Sequence, residues 1–167
     1  HAPKPMPLVH GGGQQDAVRP GTEPVALIAG FGAAAKVARS RLEDDHCHGR
    51  LLICRLLERL ASQQLRFRRI TGDAAVVPGS ATLQLADVDA DQLCATVARD
   101  VSLSTGSACT SGQIKQSHVL EAIGVSEDDA RHVIRIFCHR YQDIDEIEAA
   151  ADRIVAAADQ SRLAAGE

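Results

Sequence analysis

Cys109 lies in the run LSTGSACTSG (residues 103–112), among neighbours that are nearly all small or hydroxylated. A structural cysteine usually sits among apolar residues, where it packs as a small hydrophobe. Gly106 and Gly112 loosen this stretch, and Ser107, Thr110 and Ser111 favour local turns over regular structure. The run predicts a thiol on a mobile, accessible loop. Such a thiol, once ionised, can act as a nucleophile.

Three further groups could do chemistry. Arg135 stands in the middle of the apolar run VIRIF, where a guanidinium needs an anionic partner or a path to water. Facing inward, it could hold a carboxylate through both arms of its planar fork. The run HGGGQQDAVRPGT (10–22) lets backbone amides approach a ligand closely, and Arg19 and Thr22 add donors of the kind that bind phosphate. Its glycine spacing does not match a nucleotide-binding fingerprint. The tract HCHGRLLIC (46–54) offers His46, Cys47, His48 and Cys54 as metal ligands. Neighbouring residues on a helix point about 100° apart, so these side chains should diverge. The tract is therefore expected to be a helix junction with Cys54 buried, and no metal site is expected.

The chain that must position these groups has 167 residues, enough for one domain with a sizeable core. Aromatics make up only 2%, so Leu, Ile, Val and Ala must build that core. The net charge of −4 argues against a dedicated nucleic-acid surface. The one basic cluster, RFRRITGD at 66–73, alternates like an exposed edge strand. No apolar run is long enough to span a membrane. Five cysteines without framework spacing point to a reducing cytoplasm. The opening HAPK, without an initiator Met, looks cut from something longer.

Residues 1–24 read as irregular connecting structure. The next stretch, 24–45, carries a helical apolar repeat through Leu27, Ile28, Phe31, Ala34, Ala35 and Ala38. A second helix follows at 50–65, with Leu52, Leu56, Leu57 and Leu60 inward. Strands are expected at 66–71, 80–86, 101–104 and 132–138. Helices are expected at 89–99 behind an Asp89 cap, at 116–124 ending on Gly124, and in a turn capped by Ser126. A last helix starts at Asp143, with Glu146 completing a capping box. The order predicts an α+β layer: a small sheet with helices packed on one side.

Taken together, HGGGQ (10–14), R-x-G-T (19–22), STGSACTSG (104–112), SHVLEAIG (117–124) and the terminal strand IRIF (134–137) before a helix form a recognisable series. Their order and spacing resemble the C-terminal portion of cysteine desulfurases of the NifS/IscS-like type. These are pyridoxal-phosphate enzymes of the aminotransferase class V group. The resemblance implies the small C-terminal domain of a fold-type I enzyme, with a mainly antiparallel sheet. Residues 1–23 would then be a remnant of the large cofactor domain and 24–167 the small domain carrying the cysteine loop. It implies that Cys109 is the nucleophile, taking sulfur from L-cysteine to give L-alanine and a persulfide that passes to an acceptor protein. Arg135 would grip the substrate carboxylate, and Thr22 would reach the cofactor phosphate of the neighbouring subunit in a homodimer. Iron–sulfur cluster assembly, tRNA thiolation and DNA sulfur modification all draw on this family.

The family's cofactor lysine, its ring-stacking histidine and its pyridine-nitrogen aspartate belong to the N-terminal domain, outside these residues. Lys4, in HAPK, matches a segment that follows the cofactor lysine and is not that lysine. These residues alone are thus expected to be inactive. Cys138 and His139 stand where the family has small residues. The alternative expectation is a non-catalytic sulfur carrier or docking module, should these residues be the whole natural protein.

Overall fold

A computed structural model describes residues 3, 5–72, 74–106, 108–110, 113–115 and 117–165, with the backbone alone at 108–110, 113–115 and 163–165. The chain divides into two compact units, His1–Leu42 and Glu43–Glu167.

In the first unit, helix α1 spans Val25–Ser40. The predicted helix forms, but none of its residues is buried: Leu27 is 74% and Phe31 79% exposed. It also ends earlier than the apolar repeat implied. Ser40 Oγ donates to Val37 O, and Arg41 leaves helical geometry. Helix α2, Leu42–Ser62, then begins with Glu43, Asp44 and Asp45 in its first turn. Carboxylates favour a helix N-terminus and oppose a C-terminus, which is why LEDD opens α2 and does not close α1. The HCHG tract accordingly lies inside α2, and Cys54 is exposed there, contrary to the junction expected from sequence.

The second unit is built on a four-stranded sheet of β1 (Phe67–Arg69), β2 (Ser80–Leu85), β6 (Val133–Phe137) and β3 (Ser104–Thr105), in the spatial order β1-β2-β6-β3. Every pairing is antiparallel. The α+β layer expected from sequence is the one found. Ala81, Leu83, Leu85, Ile134 and Ile136 alternate onto one face and pack with α2, α3 (Ala90–Val97) and α6 (Ile144–Ala165). Each large aliphatic side chain fully buried in this layer contributes about 1.5–3 kcal/mol. On the other face Val133 joins a smaller cluster with Leu120 and Val125, beside α4 (His118–Ala122) and α5 (Glu127–Ala130).

The helix ends follow local chemistry. Asp89 accepts from Gln92 N at 2.8 Å and caps α3. Gly124 takes φ +80 while Val125 N reaches Leu120 O, so the glycine closes α4 in a left-handed turn. Asp143 and Glu146 exchange side-chain and backbone hydrogen bonds of 2.9 and 3.1 Å, the capping box read from sequence.

Cys138 closes β6 inside the core, and burial pushes its thiol up to about 11. Iodoacetamide at neutral pH should modify the exposed Cys47 and Cys54 in the native protein and spare Cys138 until the chain is denatured, as read by mass spectrometry. The folded thiol keeps its proton up to about pH 11, whereas an unfolded one releases it near its ordinary value of 9.0. The native state therefore binds more protons in that window, and Cys138's contribution to stability falls as pH rises through it.

Candidate active site

The open face of the sheet presents alternate residues of its central strands. Arg135 sits in the middle of β6, directly opposite Thr82 of β2 on one side and Ser104 of β3 on the other. Strand alternation explains this: Ile134 and Ile136 fill the core, so Arg135 must emerge on the opposite surface. It is exposed, so of the two outcomes its apolar neighbours allowed it takes the path to water and does not face inward. Its Nε donates to Thr105 O at 3.2 Å, which fixes the stem of the side chain over β3. Among the described residues no carboxylate pairs with it.

Asp129, which accepts from Gln84 of this face, is already satisfied. Ser126 Oγ donates to it at 2.7 Å and Gln84 Nε2 at 2.6 Å, while Arg68 donates to Gln84. The Ser126 hydrogen bond, seconded by Gln84, holds the Asp129 carboxyl below its ordinary range. It thus stays ionised and bound in its own network, leaving the Arg135 guanidinium free to bind a carboxylate.

The segment carrying Cys109 leaves the sheet directly beside Arg135. After Thr105, Gly106 N donates to Val133 O at 2.9 Å, and the chain enters a hairpin of β4 (Ala108–Thr110) and β5 (Gln113–Lys115). In it Cys109 pairs with Ile114. The cysteine backbone is therefore in a short antiparallel ladder, where the sequence reading had a loop without regular structure. The signal was present: two three-residue runs, ACT and QIK, are separated by Ser111-Gly112, a dipeptide suited to hairpins. The predicted accessibility of the Cys109 side chain lies outside the described residues.

Gly106, which sequence reasoning valued only for flexibility, has a packing role. A Cβ there would come 2.6 Å from Leu120 Cδ1 and 3.1 Å from Val133 Cβ. Gly106→Ala should therefore destabilise the fold by roughly 1–3 kcal/mol through overpacking, measurable as a lower denaturation midpoint. Because it sits at the base of the hairpin, the same change should also disturb the Cys109 segment.

Thr22 belongs to the first unit, with its side chain exposed. Only its carbonyl is used, accepting from Arg19 Nη1 at 3.4 Å, and among the described residues its hydroxyl has no protein partner. Arg19 itself is ion-paired with Glu23, which also accepts from Gln15 Nε2, so it is not a free anion donor. Gln15, Asp16 and Ala17 form a left-handed turn with φ of 52°, 57° and 62°. Each such residue costs on the order of 1 kcal/mol or more, and the turn persists because its neighbours hold it. Gln14 Oε1 accepting from Gly21 N is one such tie.

The HCHG side chains diverge on α2. His48 Nε2 meets Gln142 O at 2.9 Å, while Cys47 Sγ points back toward Glu43. Among the described residues no group of three His, Cys, Asp or Glu side chains is placed to hold a metal ion. Among them, too, no helix is long and apolar enough to cross a membrane.

A small antiparallel sheet backed by helices thus carries Arg135 on its open face, and the next strand leads into the hairpin that bears Cys109. Residues 10–150 match the aminotransferase class-V family, and the chain belongs to it. It is 38% identical over 150 residues to the mitochondrial cysteine desulfurase of Drosophila melanogaster, covering 89% of this chain and 32% of that protein. It is 35% identical over 157 residues to cysteine desulfurase IscS of Rickettsia typhi, covering 93% and 38%. The X-ray structure of a NifS-like protein from Rickettsia africae superposes with a TM-score of 0.77 at 27% identity, covering 92% of this chain and 40% of that one. The chain thus spans about a third of the length of the curated relatives it matches.

Proposed function

We propose that this chain is the sulfur-accepting portion of a pyridoxal-phosphate-dependent cysteine desulfurase acting on L-cysteine. The observation that carries this reading is the adjacency of Arg135 on β6 to the strand that leads into Cys109. A substrate whose carboxylate is held by Arg135 would lie beside the segment bearing the thiol. The names of the relatives support the same reading.

The residues present fit part of a cofactor site. The Thr22 hydroxyl has no protein partner among the described residues, as a donor to a cofactor phosphate requires, and we assign that phosphate to the neighbouring subunit of a homodimer. We further assign residues 1–23 to the cofactor domain and 24–167 to the small domain. When bound, pyridoxal phosphate supplies an electron sink that weakens the substrate's C–S bond. The chain's own residues do the rest. Arg135 orients the amino acid through its carboxylate. Cys109, as thiolate, forms an S–S bond as the substrate's C–S bond breaks, leaving L-alanine and a Cys109 persulfide for an acceptor protein. Exposed free thiols at Cys47 and Cys54 fit a reducing, cytoplasmic setting.

The test is peptide mapping after incubating the polypeptide that includes the cofactor-binding lysine with sulfur-labelled L-cysteine. Label carried by Cys109 and removed by a reductant supports the proposal. Label on another cysteine, or on none, overturns it.

A further inference from the structure

On the helix-covered side of the sheet, at its β1 edge, α2 and the loop after β1 enclose a groove of about 440 Å³. Three basic residues line it. His46 and Arg50 are one helical turn apart on α2, and Arg69 ends β1. Arg69 pairs in register with Leu83, a core-facing residue, so its side chain projects on the helix-covered side, toward α2. The opposite wall is apolar, formed by Val76, Val77 and Pro78, with Val77 68% exposed.

These arginines are unlike most of their neighbours. Arg59, Arg66, Arg140 and Arg153 each hold a carboxylate, and Arg68 holds Gln84. Among the described residues Arg50 and Arg69 hold none. The walls are also fixed in place. A Cβ on Gly49 of α2 would come within 2.8 Å of Gly79 N, so helix and loop meet backbone to backbone. Gly79 has φ +83 and its carbonyl accepts from Cys138 N at 2.7 Å, while Ser80 ties back to Val77 O. A groove with two guanidiniums that hold no carboxylate, beside a loop braced against α2, suits an oxyanion.

We propose that this groove recognises a carboxylate displayed beside apolar atoms, as an acidic side chain of a partner protein is. The apolar wall accounts for the second half of that requirement: a free inorganic anion makes no use of Val76, Val77 and Pro78. A polyanion fits poorly. Arg68 of β1 and Arg66 just before it are already engaged, and Glu43, Asp44 and Asp45 make the adjoining end of α2 acidic. The site is separate from the Cys109 hairpin and independent of the desulfurase reading.

The test is an NMR titration of the full chain, following arginine Nε–H and backbone amide signals. The probes are the blocked peptide Leu-Glu-Glu-Leu, its glutamine counterpart Leu-Gln-Gln-Leu, and inorganic phosphate. The glutamate peptide should shift Arg50, Arg69 and residues 74–79 saturably, and the glutamine peptide should not. Arg50→Gln and Arg69→Gln should each weaken binding roughly fivefold, as expected for exposed charge pairs, and added salt should do the same. Both side chains are exposed, so an unchanged spectrum elsewhere verifies the fold of each variant. Phosphate binding there as tightly as the peptide would replace the partner-borne carboxylate with a small-anion site. No saturable shift, or binding indifferent to either substitution, would overturn the proposal.

Discussion

Cys109→Ser, made in the polypeptide that carries the cofactor lysine, is expected to abolish sulfide and L-alanine production while the yellow cofactor stays bound. A serine hydroxyl is close to a thiol in size, so the hairpin backbone should persist. Its oxygen, however, is not ionised near neutral pH and forms no persulfide. Loss of turnover with retained cofactor absorbance would separate a failed sulfur transfer from a failed cofactor site. Full turnover would remove Cys109 from the reaction and redirect attention to the remaining cysteines. The structure ranks these. Cys138 is buried with its thiol pushed up to about 11, and burial raises Cys94 as well. Cys47 and Cys54 are exposed on α2 and would be the next to replace.

For Arg135→Ala the expected result is a KM for L-cysteine raised about 30-fold, equivalent to ~2 kcal/mol, the order of one charge-assisted fork lost. The fold should be indifferent, since the side chain is exposed and its one hydrogen bond among the described residues is to Thr105 O. A thermal midpoint within error of the parent verifies this. Arg135→Lys keeps the charge but not the planar fork, so it should recover only part of the loss. This graded series distinguishes carboxylate binding from a structural effect, which lysine and alanine would move alike. An unchanged KM in the alanine variant removes Arg135 from substrate binding.

Much of the fold was legible because the signals are local. Asp89, Ser126, Gly124 and the Asp143–Glu146 pair act within one turn of chain, and all four end their helices as read. Period-two alternation in SATLQL and the β-branched run in VIRIF likewise marked strands without further information. The misreadings came where two local rules competed. The apolar repeat after Pro24 favoured one long helix, but an acidic run is better placed at the start of the next, so the break falls at Arg41. Glycine and serine around Cys109 favoured a loop, and Ser111-Gly112 between short runs favoured the hairpin whose ladder is observed.

The sequence by itself determined most of the elements and their caps, because each depends on neighbours within a few positions. Only the tertiary structure decided which surface Arg135 faces, that Gly106 is wedged between Leu120 and Val133, and that Arg50 and Arg69 line one groove. Those facts depend on strand register and on packing between segments tens of residues apart. No rule confined to adjacent residues contains that information.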